Sequence, residues 1–310
     1  MKNTTAQDLI NDMENGKSVL LSFGESGKRL RREIAATGLI CRILLFMIFN
    51  PFFRLRVRLA KNKEKLYKRR KSFAVWLAKI VFKFKTKGHT KTDFSEIFVI
   101  NHPTLNDPLC ALFYALTCYP NREIILPVNL PWFESISKYR QKLLAVKINI
   151  VPIITPKTVE RLSDSPQISS VQQNFITHYL SSLTEILSNG GMSVVAQQAT
   201  RQRFLFANKE QYTTGENILS TISLIIACLK RAKILEKIIF VPTGVVPHST
   251  KARQSLNLFR CYTLNFNKSI SAIDLIEVSK ELSAKRAPDL KMLHMLAEVV
   301  PEFYYYENIS

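Results

Sequence analysis

An α/β fold is predicted for the larger part of this chain, a mostly parallel or mixed central sheet flanked by helices and preceded by an N-terminal helical region. Three observations predict it. From residue 94 onward, short apolar or β-branched runs alternate with segments of helical length and spacing, the pattern of strands joined by covering helices. Turn and cap residues punctuate that alternation, as at Asp107-Pro108 and Gly190-Gly191. The chain is also large enough for a sizeable core, with 310 residues of which 46% are hydrophobic. Residues 1–91 then form the N-terminal helical region and residues 92–310 the α/β domain.

The N-terminal region is set apart by charge. The net charge is +20, and residues 54–91 hold 15 Lys or Arg against the single Glu64, which leaves only +6 for the rest of the chain. Such a band seeks an anionic partner. Just before it runs GLICRILLFMIFNPFF, residues 38–53. A spanning helix needs about 20 apolar residues, and here Arg42 interrupts the run while Asn50-Pro51 bends or ends it. Basic residues on both flanks, Arg31 and Arg32 before and Arg54 and Arg56 after, fit a helix embedded in one leaflet.

The following segment, SFAVWLAKIVFKFK (72–85), puts Phe73, Trp76, Leu77, Ile80, Val81 and Phe84 at helical spacing. With Lys79, Lys83 and Lys85 elsewhere, it reads as a basic amphipathic helix for an anionic membrane surface. A core-packing helix with a solvated basic face is the alternative. Nucleic acid is not expected: no recognisable motif accompanies the basic run, and the adjoining apolar stretch has no use there. The residues 1–18 carry no apolar run after a basic start, so no cleaved secretory signal is expected.

In the body of the chain, EIFVI (96–100) reads as a strand and PLCALFYALTCY (108–119) as a helix. REIILPV (122–128) is a strand, ESISKYRQKLL (134–144) a helix and INIVPIIT (148–155) a strand. Residues 169–189 form a helix that stops at Gly190-Gly191. A strand at 191–197, a helix at 216–234, strands at 237–246 and 261–266, and helices within 271–299 complete the series. The five cysteines (Cys41, Cys110, Cys118, Cys228, Cys261) show no CxxC spacing and read as thiols of a reducing compartment. No metal-ligand cluster is apparent, and FGESGKR (23–29) has its glycines too close together for a phosphate-cradling loop.

In folds of this class, chemistry collects at the carboxyl ends of strands. There the sequence reads VINHPTLNDPL, residues 99–109. Asp107 followed by Pro108 is a standard helix start, and capping alone would account for the aspartate. His102 on the preceding loop can nevertheless face Asp107 across the turn. The carboxylate would then fix the imidazole tautomer and leave the other ring nitrogen free as a base near neutral pH. No Ser, Cys or Thr stands in a nucleophile-elbow context, so the nucleophile would be a substrate hydroxyl. The other histidines (His89, His178, His248, His294) lack a carboxylate at a useful spacing and read as structural or exposed.

Asn101-His102-Pro103-Thr104-Leu105-Asn106-Asp107-Pro108 resembles the NHxxxxDP block of the glycerolipid acyltransferases, the group that includes the bacterial lysophosphatidic acid (1-acylglycerol-3-phosphate) acyltransferases. VVAQQATRQR (194–203) follows a strand, as that family's FPEGTR block does, and FVPTGVV (240–246) resembles its late VP strand. Gln197-Gln198-Ala199 replaces Pro-Glu-Gly, so Gln198 stands where the family has its carboxylate, and Asn129-Leu130 stands where Glu-Leu is usual. The resemblance covers about residues 94–270.

It implies transfer of a fatty acyl group from acyl-CoA or acyl carrier protein, as donor substrate and with no cofactor, to a hydroxyl of a lysophospholipid or glycerol phosphate-type acceptor. His102 and Asp107 would be the catalytic pair. Asn101, Thr200, Arg201 and Arg203 would bind substrate, Arg201 pairing with the acceptor phosphate through its guanidinium fork. The expected setting is the cytoplasmic face of a membrane, bound to anionic lipids. The alternative is a catalytically lapsed member of the fold that binds lipid or membrane.

Overall fold

The computed structural model describes residues 4–34, 62, 65, 72, 85–102, 107–144, 147–198, 204–247, 262–282 and 286–305. The apolar stretch 38–53 and nearly all of the amphipathic segment 72–85 lie outside these residues. Among the described residues, no helix is long and apolar enough to cross a membrane.

In chain order, helix α1 (Ala6–Glu14) is followed by a 3-10 turn (Leu20–Phe23) and helix α2 (24–34). Strands β1 (Lys85–Lys87) and β2 (Ser95–Ile100) come next, then α3 (Asp107–Cys118), β3 (Ile124–Asn129), α4 (Leu130–Ile136) and α5 (Arg140–Leu144). Strand β4 (Ile148–Ile153), α6 (Pro156–Arg161), α7 (Ile168–Ser188) and β5 (Met192–Ala196) follow. The chain closes with α8 (Lys209–Thr214), α9 (Thr221–Arg231), β6 (Ile238–Pro247), β7 (Tyr262–Phe266), β8 (Ile270–Ser271), α10 (Ala272–Ser279) and α11 (Ala287–Ala297). The expected mixed α/β architecture is present.

These elements group into two compact units interleaved in sequence, 1–69 with 125–183 and 70–124 with 184–310. In the first unit, α1 starts with a capping box: Thr5 Oγ1 accepts from the Asp8 amide at 3.2 Å, and the Asp8 carboxylate accepts from the Thr5 amide at 3.0 Å. Its spacing buries Ala6, Leu9, Ile10 and Met13. Arg140, at the head of α5, donates to Glu14 at 2.7 Å and to the Ile150 carbonyl at 3.2 Å, tying α1 to β4.

The second unit carries the strand order β1-β7-β6-β2-β5. Strand β2 runs parallel to both β5 and β6, while β6 is antiparallel to β7 and β8. Every residue of β2 is buried, as befits a central strand covered on both faces. Helices α3 and α11 pack on the strands. Strand β6 passes so close to residue 299 that a side chain on Gly244 would run into the Val299 carbonyl. Only glycine allows that approach.

The segment expected as one helix over 134–144 is broken in two. Helix α4 starts earlier, because Pro131 stands in its first turn, where a missing amide costs nothing. A 3-10 turn at Ser137–Tyr139 then separates it from α5, and Ser137 Oγ donates to the Met13 and Glu134 carbonyls there. The helix expected over 216–234 is shorter, Thr221–Arg231. Residues on either side, Asn217 at φ 58° and Lys233 at φ 58°, are left-handed and cannot extend it.

Candidate active site

Strand β2 delivers Asn101 and His102 at its carboxyl end, and α3 begins at Asp107. The Asn101 side chain is buried and pinned in place. Its Nδ2 donates to the Val245 carbonyl at 3.1 Å, and its Oδ1 accepts from the Val245 amide at 2.6 Å. Both halves of the amide are thus spent on the neighbouring strand β6. The residue expected to meet substrate fixes the strand end from which His102 projects.

His102 Nδ1 lies 3.4 Å from Asp107 Oδ2. The Asp107 side chain is fully buried and that of His102 is 16% exposed, so the carboxylate is screened while the ring is reachable. Asp107 opens α3, where the helix dipole favours its negative charge. With Nδ1–H facing the carboxylate, Nε2 presents a lone pair and can take a proton. One turn further on, Cys110 is buried, and burial followed by the charge of Asp107 pushes its thiol well above the usual range. It is no nucleophile.

Strand β5 pairs in parallel with β2, with Ala196 opposite Ile100. The segments that follow the two strands therefore emerge at the same edge of the sheet. Thr200, Arg201 and Arg203 lie outside the described residues. The two residues before them are described, and each is committed. Gln197 is buried; its Nε2 donates to Asp289 Oδ1 at 3.0 Å, and its carbonyl accepts from Thr221 Oγ1 at 2.9 Å. Gln198 Nε2 donates to the carbonyls of Phe204, at 3.2 Å, and Leu205, so it ties residue 198 to residues 204 and 205.

Asp289 was invisible in the sequence. It reads as an ordinary acid in the first turn of α11, yet it is buried and gathers four donors. Besides Gln197 these are the Ile222 amide at 2.7 Å, the Ser223 amide at 3.1 Å and the Ser223 hydroxyl. Burial raises its carboxyl above the ordinary range, against the lowering effect of those bonds.

His89 has a carboxylate partner that spacing did not suggest. Its Nε2 lies 3.4 Å from Glu96 Oε2 with both side chains buried, and its Nδ1 is 2.8 Å from the Tyr114 hydroxyl. The partner is Glu96 on β2, not the nearby Asp93. Rings of Phe98, Tyr114, Tyr119 and Phe266 enclose the imidazole. His294 meets the Tyr212 carbonyl at 2.7 Å, and His248 lies outside the described residues. Among the described residues, no group of three His, Cys, Asp or Glu side chains is placed to hold a metal ion.

No family model matches the chain. No curated protein matches it in sequence. Among solved structures, the chain is similar to the 1-acyl-sn-glycerophosphate (LPA) acyltransferase PlsC from Thermotoga maritima, with a TM-score of 0.46 and 15% identity over 87% of this chain and 95% of that one.

Proposed function

We propose that this protein is an O-acyltransferase that moves a fatty acyl group from acyl-CoA or acyl carrier protein to the hydroxyl of a lysophospholipid or glycerol phosphate-type acceptor. The observation that carries this reading is the facing of the reachable His102 ring and the buried Asp107 carboxylate at the carboxyl end of a central strand. A histidine–carboxylate pair whose nearby thiol is held protonated suits a nucleophile brought by the substrate.

In this mechanism His102 Nε2 removes the proton from the acceptor hydroxyl as its oxygen attacks the thioester carbonyl. Asp107 holds Nδ1–H, fixes the tautomer and balances the imidazolium that forms. The tetrahedral intermediate collapses with loss of the thiolate, which takes the proton back from His102. The products are an ester and a free thiol, and the enzyme returns unchanged. Arg201, with Arg203 and Thr200, would hold the acceptor phosphate, a task suited to a guanidinium fork. The basic band and apolar stretch within 38–91 would keep the protein on the cytoplasmic face of an anionic membrane.

A lapsed, lipid-binding member of the fold is favoured by one observation. The side-chain NH2 groups of Asn101, Gln197 and Gln198 all donate to internal acceptors. One experiment separates the two readings: labelled acyl-CoA and acyl carrier protein are offered with a panel of lysolipids, with His102→Ala in parallel. Transfer by the natural chain and none by the variant supports the enzyme. Lipid binding without transfer from either donor to any acceptor supports the lapsed form.

A further inference from the structure

The first unit contains a cleft of about 480 Å³ lined by parts of α1, the 3-10 turn, α2 and the segment 131–138. It has the size of a small-ligand site. Its charge is one-sided: Lys17, Lys28, Arg31, Arg32 and Lys138 line it, against the single carboxylate of Glu134. That carboxylate is spoken for. It accepts from the Leu20 amide at 2.9 Å and from the Ser18 hydroxyl, and Arg31 Nε stands 3.5 Å away. Lys17 pairs with Asp12 at 2.7 Å and Lys28 with Glu25. Arg32 makes no ion pair within 4.0 Å among the described residues and interacts with Glu25 only at longer range, and Lys138 Nζ rests 5.1 Å above the Tyr139 ring. The cleft thus offers Arg32 and Lys138, neither held in a close ion pair among the described residues, and a third cation, Arg31, shared with a carboxylate already satisfied.

Its floor is apolar. Met13, Leu20, Leu21 and Ile34 contribute to the lining, and Leu21 is 44% exposed. Ile34 is also close in sequence to the apolar stretch that begins at Gly38. Four residues of chain span at most about 14 Å. Wherever residues 38–53 enter a lipid phase, Ile34 in the lining of this cleft is held within that reach of their start.

We propose that this cleft binds the phosphate-bearing head group of an anionic membrane phospholipid, with Arg32 and Lys138 as its principal contacts. A guanidinium and an ammonium beside an apolar floor match a phosphate carried on an acyl-glycerol. The phosphate chemistry rests on the cleft alone. The lipid source rests on the membrane reading of 38–53, and neither depends on acyl transfer at His102.

The test is the acetylation rate of Lys138 in the full chain in non-ionic micelles, followed by mass spectrometry, with exposed Lys230 of α9 as the internal reference. Dihexanoyl phosphatidic acid, dihexanoyl phosphatidylcholine and inorganic phosphate are added at equal concentrations. Phosphatidic acid at ten times its Kd is expected to slow Lys138 roughly tenfold by mass action and to leave Lys230 unchanged. Arg32→Gln, a change at an exposed side chain, should remove most of that protection. Equal protection by inorganic phosphate would overturn the lipid source, and equal protection by phosphatidylcholine would overturn the requirement for an anionic head group. No protection, equal slowing of Lys230, or full protection in Arg32→Gln would overturn the cleft itself.

Discussion

Gln197 and Asp289, 92 residues apart, are joined by a 3.0 Å hydrogen bond between two buried side chains. The same carboxylate receives the Ile222 and Ser223 amides at the start of α9. One acid therefore caps a helix and holds Gln197, the residue that follows β5. Removing it leaves a buried amide and two helix-terminal N–H groups unpaired. Unsatisfied buried donors of this kind cost about 1–3 kcal/mol each, tempered by relaxation. Asp289→Ala should lower the unfolding free energy by about 3 kcal/mol or more. Asp289→Asn should cost less, because its remaining oxygen can still accept. Urea unfolding of both variants checks this, and equal losses would show that one remaining oxygen is not enough and that both carboxylate oxygens are needed.

His102→Ala should remove almost all acyl transfer while leaving the fold intact, since the ring is partly exposed and, among the described residues, makes one polar contact, at 3.4 Å. Asp107→Asn keeps the shape but lets the amide select the wrong imidazole tautomer, a fault that costs roughly 10⁴-fold in serine proteases. The natural rate retained in His102→Ala, with normal unfolding, would leave Asp107 as a helix cap and nothing more. Circular dichroism beside the acyl-transfer assay distinguishes loss of chemistry from loss of structure.

What could be read from the sequence was local. IFVI (97–100) is an unbroken apolar run, and it lies in the strand β2, buried along its whole length. Asp107-Pro108 marked the start of α3 to within one residue. Pairings that cross the fold carry no such signal. Glu96 looks like a break in an apolar strand; only the sheet shows it beside His89, accepting from Tyr119 at 2.6 Å. Asn101 looks like part of a motif, but its partner Val245 is 144 residues away. The split of 134–144 was missed for another reason. Its helical spacing is real, but the break is set by the Ser137 hydroxyl reaching the Met13 carbonyl, which no window of neighbouring residues contains.

The buried pair of His89 and Glu96 makes stability depend on alkaline pH. Burial pulls the His89 pKa down, but the Cys118 sulfur and the Glu96 carboxylate outweigh it and raise it from 6.5 to about 9. The folded state therefore binds this proton more tightly than the unfolded chain does. Its contribution is complete below pH 6.5 and is lost as pH rises towards about 9. The melting temperature should fall across that interval. The fall should be smaller in His89→Gln/Glu96→Gln, which keeps two polar groups of similar shape and removes both charges. Identical pH slopes for the two proteins would mean that the pair is not charged in the folded state.

Position 198 tests whether this chain's departure from the acyltransferase pattern is a loss or a different use. A glutamate there would restore the charge that the resembling family carries. The local geometry argues against simple restoration, because Gln198 acts through its donor: Nε2 points at the carbonyl oxygens of Phe204 and Leu205. An ionised carboxylate has no proton to give and would face two acceptors. Gln198→Glu should therefore loosen the tie between residue 198 and residues 204 and 205, which flank Thr200, Arg201 and Arg203 in sequence. The expected result is a raised KM for the phosphate-bearing acceptor with a smaller change for the acyl donor. Proteolysis between residues 199 and 203 should quicken at the same time. Gln198→Ala should show the same loosening in milder form, since it removes the donor without adding a charge. If Gln198→Glu instead leaves cleavage unchanged and improves acceptor affinity, the glutamine stands in place of the resembling family's carboxylate and its bonds to Phe204 and Leu205 are dispensable.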